Sequence, residues 1–353
     1  MTTRPAINIP ARPVGLGVIG LGVMGATHVR CMSAIAARGA VRLAAVCDHH
    51  PDRRTGLVRA SGNMTSIATD ERLFDPAAVR TFADPGDLLA DPHVDAVHIC
   101  TPTDSHADLA IRALRAGKHV LIEKPVAIAS ADVARVIDAA AGTNLVCMPA
   151  MCMRFWPGWA WVRERMRTRE FGAVTGATFQ RVGTPPGWSP GFYGHAERSG
   201  GALVDLHIHD ADFILWCFGE PAEVVSTGST NHLTTIYRFA RGPSHVVAEG
   251  GWGHAPGFGF RMRYTISFEN ATAEFDLGRA PTVILYRNGQ SEPIEFPPES
   301  AYYLEIEHFV DRVGGVGDPD RGPTLRDAWT AARLLEAERR SLETGQAVTF
   351  GDQ

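Results

Sequence analysis

The chain has 353 residues, a net charge of −5, 45% apolar and 21% charged residues, the composition of a globular protein too long for one ordinary core. Two domains of roughly 150–200 residues are expected. Acid is in slight excess and no Lys/Arg stripe stands out, which argues against a nucleic-acid partner; no apolar run reaches the roughly 18 residues of a membrane span.

Residues 1–12, MTTRPAINIPAR, lack the apolar core of a signal peptide and read as a flexible tail. From residue 13 to 148, short apolar strands alternate with helices. A strand at Val14–Ile19 leads into a helix at Met24–Arg38 that stops at Gly39, and a second strand runs from Leu43 to Cys47. A polar helix is expected from about Asp52 to Ser61, a loop over Gly62–Asp75, a strand at Val79–Phe82 and a helical turn at Asp87–Ala90. The pattern closes with a strand at Ala96–Cys100, a helix at Ala107–Ala116, a strand at His119–Ile122, a helix from Ser130 to about Ala141, and a strand at Asn144–Met148. Strands apolar on both faces, alternating with helices, predict a parallel sheet wrapped by helices.

The texture changes in residues 149–353. Trp156, Trp159, Trp161 and Trp188 cluster with Pro and Gly, and one helix is predicted from about Gly201 to Phe218. Six β-rich runs follow between Ala222 and Tyr286, joined by connections too short for crossovers, so antiparallel pairing is expected. Two amphipathic helices, about Tyr302–Val313 and Thr324–Thr344, end the pattern. The six cysteines form no CxxC pair and show no ligand spacing, which points to a reducing, cytoplasmic setting.

Gly20-Leu21-Gly22-Val23-Met24-Gly25 follows the first strand and opens the first helix, the context a dinucleotide-binding GxGxxG loop requires. Its glycines permit a tight turn, close approach of backbone to a pyrophosphate, and close packing of helix on strand. Asp48 ends the second strand, where a carboxylate accepts hydrogen bonds from ribose hydroxyls; capping a helix is the plainer role. A carboxylate there favours NAD over NADP, although His49, Arg53 and Arg54 keep NADP open. The run Ile99–Pro125 ends in Glu123-Lys124-Pro125 at the tip of a buried strand. That is the edge where open α/β sheets bind ligands, and it makes Lys124 a candidate acid/base group.

These residues carry a family resemblance. The glycine loop, the block from Thr101-Pro102 through Gly117-Lys118-His119-Val120 to Glu123-Lys124-Pro125, and the segment Gly200-Gly201-Ala202-Leu203-Val204-Asp205-Leu206-His207-Ile208-His209 occur in that order. The chain thereby resembles the glucose–fructose oxidoreductase, inositol dehydrogenase and rhizopine-catabolism (Gfo/Idh/MocA) family, over almost its whole length. The resemblance implies an α/β plus α+β architecture. A doubly wound Rossmann domain precedes an α+β domain built on an open, mainly antiparallel sheet used for oligomerisation as a dimer or tetramer. It also implies a pyridine nucleotide, a sugar or cyclitol substrate, and a Lys124-Pro125 bond that is often cis.

By the same resemblance Lys124 contacts both cofactor ribose and substrate hydroxyl, with Glu123 orienting it or satisfying backbone donors. Asp205 and His209 are four apart on the predicted helix and project from one face. His209 is then the principal acid/base residue and Asp205 positions the substrate; a surface ion pair or a core histidine is the plainer alternative. His207, Asp210 and Asp212 crowd the same segment, but neighbouring directions diverge on a helix and no metal is expected; Asp210 and Asp212 cap or pair locally.

Other positions are less defined. Thr101 and Thr103 line the cofactor, or Asp104 or Ser105 caps the next helix; His106 binds cofactor or makes a structural hydrogen bond. Arg154 binds substrate or phosphate, or pairs with a carboxylate. Trp188 in the WSPGFY loop walls the substrate pocket, or joins Trp156 and Trp159 in an interdomain core. The expected activity is hydride transfer between a secondary alcohol of a sugar, cyclitol or related polyol and nicotinamide C4. The alternatives are an NAD-dependent glycoside hydrolase using transient oxidation, and a non-catalytic NAD-binding regulator.

Overall fold

The computed structural model describes residues 13–57, 60–61, 66–67, 72–187, 189–193, 195–317 and 322–351. The tail, Trp188 and most of the loop expected at 62–75 lie outside the described residues. The chain forms two compact units. One comprises the chain up to Ala127, Ala131–Ala150 and Glu299–Ala328; the other comprises Ile128–Ser130, Met151–Pro298 and the chain from Trp329 on.

In the first unit the strands are β1 Val14–Ile19, β2 Val41–Cys47, β3 Ala60–Ser61, β4 Ser66–Ile67, β5 Arg80–Phe82, β6 Ala96–Ile99, β7 His119–Glu123 and β8 Cys147–Ala150. The helices α1 Val23–Ala36, α2 Pro85–Ala90, α3 His106–Arg115 and α4 Ser130–Ala140 alternate with them. The main sheet has the order β5-β2-β1-β6-β7-β8, and every neighbouring pair is parallel. Leu16, Val18, Val97, Ile99, Leu121 and Ile122 are wholly buried because helices cover both faces. The chain reverses its direction of winding between β1 and β6, which makes the crevice above their C-terminal ends the ligand position of this sheet.

The polar helix expected at Asp52–Ser61 is instead a short 3₁₀ turn, Pro51–Thr55, ended by Gly56 at φ 84°. A Cβ at Gly56 would lie 2.1 Å from the Phe74 carbonyl oxygen, so backbone contact with another segment ends the turn. Helix α10, Ala301–Val313, also departs from a division of the chain at residue 148. It packs on α1 within the first unit, where Arg38 donates to the Tyr303 hydroxyl (3.3 Å) and pairs with Glu307, and Phe309 meets His98 edge-on at 5.3 Å.

The second unit contains α5 Pro157–Thr168, β9 Val174–Val182, α6 Pro190–Tyr193, α7 Ala196–Ser199, α8 Gly201–Asp205 and α9 Ile208–Phe218. It continues through β10 Glu223–Ser229, β11 His232–Arg238, β12 His245–Gly251, β13 Arg261–Phe268, β14 Thr272–Asp276, β15 Val283–Arg287 and β16 Gln290–Ile294. Most of helix α11, Leu325–Thr344, and strand β17, Val348–Thr349, complete it. The nine-stranded sheet has the order β16-β15-β14-β13-β9-β12-β11-β10-β17. All pairs are antiparallel except β9 with β12. Strand β9 bears no strong period-two signal and was not among the expected strands; a long connection gives it a parallel neighbour.

One face of this sheet is apolar. Trp159, fully buried, sits against Phe213 (4.7 Å), Tyr264 (5.2 Å), Phe179 and Phe275 (5.9 Å each), with edge contacts predominating. Trp159 is thus core of the second unit. The opposite face carries Ile236 and Tyr286, 42% and 40% exposed.

Candidate functional site

The register of the first sheet brings the expected residues to one edge. Ile19 pairs with Cys47 and with Ile99, and Ile99 pairs with Ile122. Asp48, Gly20, Thr101 and Lys124 therefore leave the ends of four adjacent strands on the same side, over about 15 Å at the usual strand spacing.

The glycine loop is shaped by contact. Gly20 has φ 90°, and a Cβ there would lie 2.6 Å from the Cys100 carbonyl oxygen. A Cβ at Gly25 would collide with the Gly20 carbonyl oxygen at 1.8 Å, so α1 packs directly on the turn. At Gly22 nothing lies within 4 Å of that position, and no side chain caps α1. An uncapped helix start behind an open glycine fits a pyrophosphate. Met24 is half-buried in the first turn.

Asp48 is buried and already holds this loop. Its Oδ2 accepts the Leu21 N–H at 2.8 Å and faces Arg53 Nη1 at 3.3 Å, while Oδ1 accepts the His50 N–H at 2.9 Å. It does not cap the 3₁₀ turn, whose cap position is His50. Oδ1 retains a further lone-pair direction for a hydroxyl donor, and Oδ2 regains one when Arg53 turns away. Arg53 at this position leaves a cation near any 2′-substituent, as the sequence suggests.

Around Lys124 the structure adds partners that sequence reasoning missed. Glu123 is buried; its Oε1 meets His28 Nε2 at 2.9 Å and its Oε2 accepts the Lys124 N–H at 3.1 Å. His28 Nδ1 in turn lies 3.0 Å from His98 Nδ1. Burial alone would raise the Glu123 carboxyl, but the His28 hydrogen bond and the His28, Lys124 and His106 charges outweigh it and hold it below its ordinary value. Burial, with His28 alongside, pushes His98 well below its ordinary value. Only the period-two position of His98 hinted at an inward side chain; the meeting with His28 depends on helix-to-sheet packing.

His106 spans two backbone carbonyls, Nδ1 at 2.8 Å from Pro125 O and Nε2 at 2.7 Å from Thr101 O. It bridges the two strand-end loops; burial lowers its pKa, and the neutral ring donates to one of the two carbonyls. The Thr101 hydroxyl shares a hydrogen with Ser105 Oγ at 2.7 Å. The Lys124-Pro125 peptide is cis.

In the second unit the expected single helix Gly201–Phe218 is broken. Both Leu206 N and His207 N donate to Ala202 O, at 3.0 and 2.8 Å, a wide turn that ends α8 at Asp205 before α9 begins at Ile208. The cause is the His207 side chain, wholly buried, whose Nε2 lies 2.9 Å from Tyr237 Oη and 3.0 Å from Glu338 Oε2. Helical spacing therefore does not place Asp205 and His209 on a common face. His209 stands in the first turn of α9, with Cys152 Sγ 4.0 Å from its Nδ1.

Asp210 and Asp212 do not pair locally. Each binds a distant guanidinium bidentately: Asp210 with Arg181 (2.9 and 3.0 Å), and Asp212 with Arg154 (3.0 and 2.6 Å). Arg154, buried, directs its fork at Asp212 with its guanidinium over Trp216, the carboxylate pair that was one of the roles expected of it.

Residues 14–151 match the family model described as oxidoreductase family, NAD-binding Rossmann fold, and residues 159–274 the model of the GFO/IDH/MocA C-terminal domain. The inositol 2-dehydrogenase of Rhizobium meliloti is 32% identical over 356 residues, covering 96% of this chain and 99% of the relative. The chain belongs to the Gfo/Idh/MocA oxidoreductase family. Myo-inositol 2-dehydrogenase of Thermotoga maritima is 26% identical over 94% of this chain and 97% of its own. Among solved structures, levoglucosan dehydrogenase in complex with NADH and levoglucosan superposes with a TM-score of 0.80 at 19% identity, over 97% of this chain and 100% of that one, a likeness of fold. Membership accounts for an NAD-binding Rossmann fold over residues 14–151 and for the C-terminal domain that follows it.

Proposed function

We propose that this protein is an NAD-dependent dehydrogenase that oxidises a secondary alcohol of a cyclitol or related sugar polyol. The observation that carries the reading is Lys124 at the tip of β7, on the same sheet edge as Asp48 and the glycine loop, in a chain alignable with an inositol 2-dehydrogenase over 96% of its length. When bound, NAD supplies the hydride acceptor at nicotinamide C4. The backbone of Gly20–Gly25 and the start of α1 receive the pyrophosphate, and Asp48 accepts from the ribose hydroxyls. Lys124 donates to the substrate hydroxyl oxygen and stabilises the charge that develops there, held by the Glu123–His28 pair behind it. His209 takes the hydroxyl proton, and Asp205 positions the ring through a neighbouring hydroxyl. Arg154 acts from the Asp212 pair as support for α9.

The reading includes assembly as a dimer or tetramer through the open sheet face, supported by exposed Ile236 and Tyr286, and a reducing cytoplasmic setting, supported by six free thiols. No described helix is long and apolar enough to cross a membrane. The test is NAD⁺ and NADP⁺ reduction against a panel of cyclitols and aldoses, with mass measured by light scattering. Stoichiometric NADH formation with a cyclitol or sugar is the expected result. No net reduction with any of them, or release of an aglycone from a glycoside while NAD is unchanged, would overturn it.

A further inference from the structure

Away from these residues, the second sheet brings together His232, Glu249 and His254. His232 opens β11 and pairs with Gly251 of β12, so Glu249 is its diagonal neighbour on the same sheet face. Their side chains meet directly, His232 Nε2 to Glu249 Oε1 at 2.9 Å. After β12 the chain runs on past the end of β9, where the His254 N–H meets Gly183 O at 3.3 Å, and the His254 side chain joins them; one donor atom from each of the three residues lies within 4.8 Å of the others.

The loop is built around the His232 ring. A Cβ at Gly251 would come within 2.6 Å of His232 Cγ, and one at Gly253 within 2.4 Å of His232 Nδ1. Only the glycines of Glu249-Gly-Gly-Trp-Gly-His254 let backbone pass so close. His254 is fixed in orientation by stacking on Phe258 (centroids 3.8 Å apart, planes at 9°), with the Arg261 guanidinium also over that ring. Its Nε2 is buried and meets no hydrogen-bond partner among the described residues, which leaves a lone pair or a proton there to be matched. The remaining oxygen of Glu249 accepts from Gln180 Nε2 at 2.8 Å, so the carboxylate is itself oriented. His232 and Glu249 are each about a third exposed, which leaves an entry path.

We propose that His232, Glu249 and His254 bind a divalent, borderline-soft cation of the zinc class. Two imidazoles and one carboxylate are a donor set that zinc takes with a fourth position left to water. Donor atoms on one tetrahedral zinc stand roughly 3.3 Å apart at bond lengths of about 2.0–2.1 Å. The 2.9 Å His232–Glu249 contact is then the metal-free arrangement, with a proton where the cation sits, and needs to open by only a few tenths of an ångström. Binding would staple β11, β12 and the following loop together. That loop carries Trp252, which packs on Ala202 within α8 and on Leu206, the residue after Asp205. The proposal stands on these three side chains and does not depend on the assigned reaction.

The test uses the tag-free full chain, stripped with a chelator and titrated with Zn²⁺ by calorimetry and with Co²⁺ by visible absorption. One ion per chain is expected, with four-coordinate Co²⁺ bands and a melting temperature raised by Zn²⁺. His254→Ala and Glu249→Gln should each weaken binding by more than the roughly 10–100-fold that loss of an oriented outer partner costs, the effect expected of Gln180→Ala. A wild-type chain that takes up no stoichiometric Zn²⁺ or Co²⁺ overturns the proposal, whatever the variants do. So does wild-type affinity in both ligand variants.

Discussion

Glu123 uses both carboxylate oxygens at once, one against His28 Nε2 at 2.9 Å and one on the backbone N–H of Lys124 at 3.1 Å. A buried pair thereby fixes the backbone of the residue proposed to polarise the substrate. Removing one partner of a buried pair leaves the other uncompensated, at roughly 3–5 kcal/mol. Glu123→Leu should therefore lower unfolding free energy by about that amount in urea titrations, while Glu123→Gln, which keeps an acceptor for His28 or Lys124 N–H, should lose much less. Equal losses for the two would contradict the orientation role.

Lys124→Ala and His209→Ala should each reduce kcat by about 10²–10⁴-fold, the usual value of a positioned proton-transfer or electrostatic group. NAD binding, followed by fluorescence titration, should persist in His209→Ala. Near-wild-type turnover of both variants on the true substrate would remove them from the mechanism.

Asp48 accepts from Leu21 and His50 inside the protein and is proposed to accept from ribose as well. Hydrogen bonds to a charged group contribute about 1.5–3 kcal/mol, so Asp48→Ala should raise the KM for NAD roughly 10–100-fold. With Arg53 freed of its partner, the preference for NAD over NADP should narrow or reverse. Unchanged discrimination between the two nucleotides would show that Asp48 only holds the loop.

His98 supplies a pH signature. Burial, with His28 beside it, lowers its pKa in the fold, so the unfolded chain binds this proton at a higher pH than the native one does. Its contribution favours the native state above the ordinary imidazole range and is lost as pH falls below about 6.5, at up to 1.4 kcal/mol per pH unit. Urea unfolding from pH 7.5 down to 5.5 should show a shallower pH dependence for His98→Asn than for the wild type. A parallel dependence would mean that His98 takes up its proton without unfolding.

The local pattern was sufficient for whatever depends on contiguous residues. The glycine loop, Asp48, the Glu123-Lys124-Pro125 tip and most strands of the first sheet were legible because period, turn residues and strand ends are written along the chain. Helix α10 was legible as a helix but not as part of the first unit, since an amphipathic face does not name what covers it. The one-helix reading of Gly201–Phe218 failed at His207, whose partners Tyr237 and Glu338 come from distant elements. The same holds for Arg154 with Asp212, His28 with Glu123, and the His232–Glu249–His254 group. A local sequence determines which groups a strand or helix can present. Only packing decides which of them meet, because a buried charge or imidazole must find its partner wherever the fold puts one.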